Sequence, residues 1–321
     1  MREVKNGFMI LLDQYLESPE IKDVISEFTD KTKGHKKWLL YSDYCLDDKN
    51  KPNDVMTFVL MPFINEKHYV NMQETIASLQ PKDIKHTSKI STDFLHFIKN
   101  EPIFVCSFVL DERKYFFGDG HKQRVDNVIK SLRACADCYT HWCSTAVNND
   151  MLDYYKKTVK TLTTKVSILE NAKTPNVKLF SDILLTAFLG AYISSKVLQD
   201  VEVDTFGWFS DRDKIISGED NIVTQIFNYF LHNMWHGKKQ YQFCTSTPDD
   251  RVPPFYEEFN RMADVVTGAL ADYNMKGNLI SADKFDTVLR EFLADNQQAN
   301  VFRFFKEESH LRLARIVIER K

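Results

Sequence analysis

The chain has 321 residues, 43% hydrophobic and 27% charged, which is enough to bury a large core and too many for one small domain. A net charge of −3 excludes a global electrostatic footprint for nucleic acid, so any such binding needs a local basic stripe. With 10 Gly and 9 Pro the chain is poor in tight turns, which favours long helices over a many-stranded sandwich.

The opening MREVKNGFMILL lacks the order of a signal peptide, because Asp13 and Gln14 interrupt the apolar run early. No window is expected to reach the roughly 18 apolar residues of a membrane span, the run LLTAFLGAYI at 184–193 being too short. Six cysteines in apolar contexts then predict a soluble, reducing, cytoplasmic setting with mostly unpaired thiols.

Residues 7–30 have the spacing of an amphipathic helix broken at Pro19. Two β-rich runs follow, WLLYSDYCL (38–46) and VMTFVLMPF (55–63), joined by the polar DDKNKPND as a hairpin. A helix over 66–79, a short polar strand DIKHTSKI and a short helix near 92–99 come next. IFVCSFVLD (103–111) reads as a buried strand, which KYFFGDG extends past a turn. From 122 to 200 the periodicity is helical and is expected to form a large insertion in a single α/β domain spanning 1–321. VDTFGWFSD and YQFCTST read as later strands flanking the helix NIVTQIFNYFLHNMW. The loop TPDDRVPP leads into the helix FYEEFNRMADVVTGALADY, and 282–321 is expected to be a helical extension rich in Arg. The sum is an α/β fold with a mixed sheet of about five strands wrapped by helices.

Three aspartates stand in apolar runs: Asp43 in the first strand of the hairpin, Asp211 at the end of VDTFGWFSD, and Asp264 on the rim of a helical apolar stripe. Carboxylates rarely sit there unless paired, hydrogen-bonded or metal-bound. A cluster from two strand ends and one helix is what a Mg²⁺- or Mn²⁺-dependent phosphodiester-cleaving site needs. Asp213 joins Asp211 on one face if the strand continues, whereas SDRDK otherwise reads as an N-cap and turn. Arg212 and Lys214 are placed to offset the carboxylates or to contact phosphate.

The order LLYSDYCL, TFGWFSDRD, RMADVVTGA resembles the ribonuclease H-like superfamily, specifically an uncharacterised bacterial branch found near mobile elements and defence loci. That branch opens with a strand bearing an Asp and a hairpin, and later has a strand with a terminal Asp and a helix reading roughly Gln-Leu-Ala-Asp-Leu-Val-Ala-Gly. The resemblance covers most of the chain outside 122–200. It implies hydrolysis of RNA or DNA with Asp43, Asp211 and Asp264 as metal ligands, and the similarity of DIKHTSKI to a basic-polar segment implies Lys85 at the site. Lys85 or Arg212 would then stabilise charge on the phosphate. The branch commonly follows its first Asp with Glu and Ser, where this chain has Tyr44 and Cys45. The missing carboxylate opens an alternative, a catalytically inactive binding or assembly protein.

CADCYTHWC (Cys135, Cys138, His141, Cys143) has a zinc-like composition, but four ligands on one regular helix cannot close a tetrahedron, so it reads as helix core. KTKGHKK (31–37), YKKTVKTLTTK (155–165) and the C-terminal arginines are candidates for a phosphate-tracking surface. No Gly-rich phosphate loop or GxSxG elbow is present, which argues against an NTPase, a dinucleotide enzyme or a serine hydrolase.

Overall fold

Seven strands form one mixed sheet in a computed structural model that describes residues 7–211, 213–246, 254–308 and 310–320. They are β1 (Lys37–Cys45), β2 (Val55–Pro62), β3 (Phe104–Leu110), β4 (Thr205–Ser210), β5 (Gln242–Thr245), β6 (Ala299–Glu307) and β7 (His310–Ile316). Their order across the sheet is β5-β4-β1-β2-β3-β6-β7. β1, β2 and β3 form an antiparallel meander, β4 runs parallel to β1, and β5 runs parallel to β4. The expected hairpin and the expected neighbourhood of β1 and β4 are both present.

The helices are α1 (Gly7–Leu16), α2 (Pro19–Lys31), α3 (Glu66–Leu79), α4 (Thr92–Asn100), α5 (His121–Cys143), α6 (Asn149–Asn171), α7 (Val177–Val197), α8 (Ile222–Met234), α9 (Glu257–Asp272) and α10 (Asp283–Val288). The chain divides into two compact units. The first comprises Met1–Glu112, Lys196–Asp211 and Gln240–Lys321 and holds the sheet; the second comprises Arg113–Ser195 and Arg212–Lys239. The helical stretch expected as an insertion in one domain thus begins earlier than 122, ends before 200, and gains α8.

β2 and β3 are buried along their whole length, which is why they read as continuous apolar runs. One face of the sheet packs on α3, α4, α9 and α10 through Tyr41, Val59, Val105, Phe259 and Val266. On the other face Phe28 of α2 meets Trp38 and Phe104, and Phe8 of α1 stacks on Phe304.

Three expectations need correction. KYFFGDG does not extend β3 as a strand, because the chain turns there into a 3-10 helix over Arg113–Tyr115. The tail is not a helical extension: after α10 and a π-helical turn (Leu289–Leu293) it forms β6 and β7. β6 and β7 pair antiparallel from Val301–Ile316 to Glu307–His310, and Arg303 and Arg315 find partners in Asp111 and Glu20. DIKHTSKI is not a strand either, because the Asp83 carboxylate accepts from the Lys85 amide and closes a 3-10 turn over Ile84–His86. These changes raise the strand count from about five to seven.

α7 alone among the described residues is long and apolar enough to cross a membrane by length and composition, with 83% of its apolar window buried inside the protein. The apolar helix extends past 184–193 at both ends, through Val177, Leu179, Phe180 and Ile183 before it and Val197 after it.

The C-terminal end of α9 is tied to the β1–β2 loop. Asn53 Nδ2 donates to the carbonyls of Leu270 (2.8 Å) and Tyr273 (2.7 Å), and its amide donates to Ala271 (3.3 Å). These satisfy carbonyls that a helix end otherwise leaves open. Beside them Asp272 accepts from Lys51 Nζ (2.6 Å) and from the amide and hydroxyl of Ser281. Against the opposing effect of its burial, those hydrogen bonds hold the Asp272 carboxyl below its ordinary range. Replacing Asn53 with Ala is expected to destabilise the protein by about 1 to 3 kcal/mol in denaturant unfolding. The exposed neighbour Lys49→Ala should shift it by less than about 0.5 kcal/mol.

Candidate active site

One level of the sheet is polar where the levels above and below it are apolar. Asp43 pairs with Thr57, and Thr57 pairs with Ser107, across β1, β2 and β3. The β1–β4 ladder ends at Ser42 opposite Ser210, so Asp43 and Asp211 are the next residues along two adjacent parallel strands. Strand alternation puts all four side chains on the face that carries Tyr41 and Phe209, the face covered by α9. Thr57 Oγ1 and Ser107 Oγ, both fully buried, satisfy each other at 3.0 Å.

α9 answers this row with its own polar stripe. Asn260, Asp264 and Thr267 follow one another at helical spacing and all three are buried. Asn260 Nδ2 donates to Asp211 Oδ1 (2.9 Å), and Thr267 Oγ1 donates to the Asp43 carbonyl (3.3 Å). Asp264 Oδ2 accepts from the Ile84 amide (3.1 Å), at the start of the 3-10 turn that carries Lys85. That turn is clamped on its other side by Lys284 Nζ, which donates to the carbonyls of Ile84 (2.7 Å) and Thr87 (2.9 Å). Gly268 makes the close approach possible, because a Cβ there would meet Ile84 Cδ1 at 2.9 Å and Phe285 Cε1 at 3.3 Å.

The electrostatics follow from burial. Asp264 is 4% exposed, and desolvation, then the charges of Asp43 and Asp83, push its carboxyl up to about 8. Asp43, 8% exposed, is pushed up to about 6 by desolvation and then by Asp211. Lys85 opposes both shifts. Its own ammonium is held above the usual range: burial works against the charge, but Asp43, Asp264, Asp83 and Asp211 outweigh it.

Asp43, Asp211, Asp264 and Lys85 therefore come together in the first unit. Asp213 belongs to the second, where its Oδ1 accepts from the amides of Ile215 (2.8 Å) and Ile216 (2.9 Å) as a turn cap. Arg212 lies outside the described residues, as do 247–253 of the Pro- and Asp-rich loop. Asn260, Thr267, Thr57 and Ser107 were not singled out from sequence; Asn260 and Thr267 stand four residues before and three after Asp264, a helical spacing that the neighbouring Glu257, Glu258 and Arg261 mask. All six cysteines are free, and Cys135 is buried in α5.

The donors at this site are carboxylate and amide oxygens, the chemistry a hard divalent cation takes. The two raised carboxyls would also be relieved by an opposite charge. Among the described residues, however, no three His, Cys, Asp or Glu side chains stand close enough together to hold a metal ion as they are. Donor chemistry fits Mg²⁺ or Mn²⁺; a closed coordination shell is not preformed. Comparison of the chain with protein-family models, curated proteins and solved structures finds no match.

The raised carboxyls make stability depend on pH. A carboxyl whose folded pKa lies above its unfolded value of about 3.9 holds its proton longer in the folded chain. Its stabilising effect is complete below that unfolded value and is lost as pH rises through about 6 for Asp43 and about 8 for Asp264. Stability of the metal-free protein should thus fall between pH 5 and pH 8. Asp264→Asn should remove most of that fall, leaving the variant more stable than the parent at pH 8 by on the order of 2 to 4 kcal/mol. Denaturant midpoints at the two pH values measure this, and a variant as steep as the parent would exclude the assignment.

Proposed function

We propose that the chain is a ribonuclease H-like, metal-dependent nuclease of the reducing cytoplasm that hydrolyses phosphodiester bonds of RNA or DNA. The observation that carries this reading is the convergence of carboxylates from β1, from the end of β4 and from α9 beside one lysine. That set of placements is also what the resemblance to the ribonuclease H-like branch implies.

Asp43, Asp211 and Asp264 would hold Mg²⁺ or Mn²⁺. When bound, the cation would lower the pKa of the attacking water and offset charge on the phosphate. The chain's own groups do the rest. Asn260 fixes the rotamer of Asp211 through its amide hydrogen bond. The Ile84 amide holds one oxygen of Asp264 and leaves the other free. Lys85 stays protonated amid four carboxyl groups and presents a cation to the phosphate. At pH 7 Asp43 is mostly ionised while Asp264 mostly holds its proton, so loading a cation requires release of about one proton.

A second reading, a catalytically inactive binding or assembly protein on the same fold, is favoured by one observation: the carboxylates do not stand within one coordination shell. The two readings separate in one pair of measurements. A nuclease should show a Mn²⁺-dependent rise in unfolding midpoint that follows RT ln(1 + [L]/Kd), larger at pH 8 than at pH 6.5. It should also cleave labelled RNA or DNA, with Asp43→Asn and Asp264→Asn losing both responses. Neither a shift at millimolar Mn²⁺ nor cleavage of single- or double-stranded RNA and DNA would leave the binding-protein reading in possession.

A further inference from the structure

The second unit carries a charge feature that the site does not use. Helix α6 runs 23 residues, and from Tyr154 to Leu169 it holds four lysines and no acid. Thr158, Leu162, Val166 and Leu169 are its buried side. Lys156, Lys157 and Lys160 are exposed and project from the opposite side, in adjoining turns with Thr164 and Ser167. The fourth lysine, Lys165, is committed inward to Glu219 (2.9 Å) and Asp220 (2.8 Å). Arg133 of the neighbouring α5 is likewise taken by Glu170. Among the described residues Lys156, Lys157 and Lys160 make no ion pair; Asp153, one turn earlier, is the nearest acid preceding them on the helix.

An exposed aromatic ring borders these lysines. Tyr154, 40% exposed, lies three residues before Lys157 and so beside it on the helix surface. Its ring leans edge-on against Tyr139 and packs on Tyr155. The outer face of the ring is therefore fixed and open. Further along the same flank Ile168 is 50% exposed.

We propose that this face of α6 is a docking surface for single-stranded nucleic acid, with Lys156, Lys157 and Lys160 following the phosphates and Tyr154 stacking on a base. The proposal deepens the nuclease reading and rests on it for the class of partner. Three unpaired cations beside a fixed aromatic face combine the two elements such strands need, a positive track and a π-surface. A duplex keeps its bases stacked on each other and would use the lysines alone. The chain's overall negative charge makes the face a local exception, as binding by an acidic protein requires.

The test is fluorescence anisotropy of labelled oligo-U and oligo-dT with the full chain in EDTA, so that binding is read without cleavage, over a series of salt concentrations. The wild type should bind with a steep salt dependence. The triple variant K156A/K157A/K160A should bind at least ten-fold more weakly at 0.1 M salt. Its slope of log K against log salt should be shallower by about 2, from three phosphate contacts at about 0.7 each. Tyr154→Ala should weaken binding about ten-fold with an unchanged slope, and Tyr154→Phe should restore it. Lys173→Ala, off this face, should change nothing. Wild-type slope and affinity in the triple variant would overturn the proposal. So would failure of the wild type to bind either oligomer, including the case in which it binds only phosphatidylserine vesicles. Binding that depends on these lysines without any Mn²⁺-dependent cleavage would support the surface and sink the nuclease reading; cleavage with unaltered binding in the triple variant would do the reverse.

Discussion

Two carboxyl groups lie buried beneath a single helix, and keeping them there is the constraint around which the first unit is organised. Desolvation disfavours a charged Asp264, and desolvation together with Asp211 disfavours a charged Asp43. α9 is fixed on both sides of its polar stripe. Phe259 stacks between Tyr41 and Tyr69 before it, and the Asn53 and Asp272 tethers close the helix after it. The apolar contacts and caps supply the stability, and the polar level is where local stability is given up, as functional sites commonly require.

The carboxylates themselves were legible because each broke an apolar run. Their companions were not. Thr57 and Ser107 sit in β2 and β3 among residues so uniformly apolar that a single hydroxyl carries no signal until the register sets them beside Asp43. Asn260 belongs to a turn that also holds Glu257, Glu258 and Arg261, and there it reads as ordinary helix surface. The meander and the parallel addition of β4 followed from periodicity and turn chemistry. The tail did not, because Arg312 and Arg315 stand three apart, a spacing that suits a helix, while the segment in fact pairs with β6 as the edge strand of the sheet. In DIKHTSKI the Asp83 side chain closed a local turn in place of sheet pairing, an effect that pattern alone does not weigh.

The departure at Tyr44 also looks different once the strand is seen. Alternation along β1 sends Tyr44 to the face away from α9, where it meets Phe58 edge-on and reaches Ser42. A carboxylate in its place would point away from Asp43 and Asp211. Cys45 is the residue that returns to the Asp43 face, and its thiol is pushed up to about 11 by burial and by Asp48 and Asp43. Neutral at any ordinary pH, it adds no charge to the site.

The parallel pairing of β1 with β4 has a kinetic side. Ser42 and Trp208, hydrogen-bonded across those strands, are 166 residues apart in the chain, and the whole second unit except its last segment lies between them. The β1–β2 hairpin needs only local contacts and can form early, whereas β3 joins it across the 50 residues that separate Thr57 from Ser107. Closing β4 onto β1, and then α9 onto both, waits on the longest loop in the first unit. The three carboxylates thus meet only at the end of folding. A chain stalled or cut before β4 would present a half-built sheet with an unpaired β1 edge, prone to sticking to others of its kind and without the grouping of acids that the finished fold assembles.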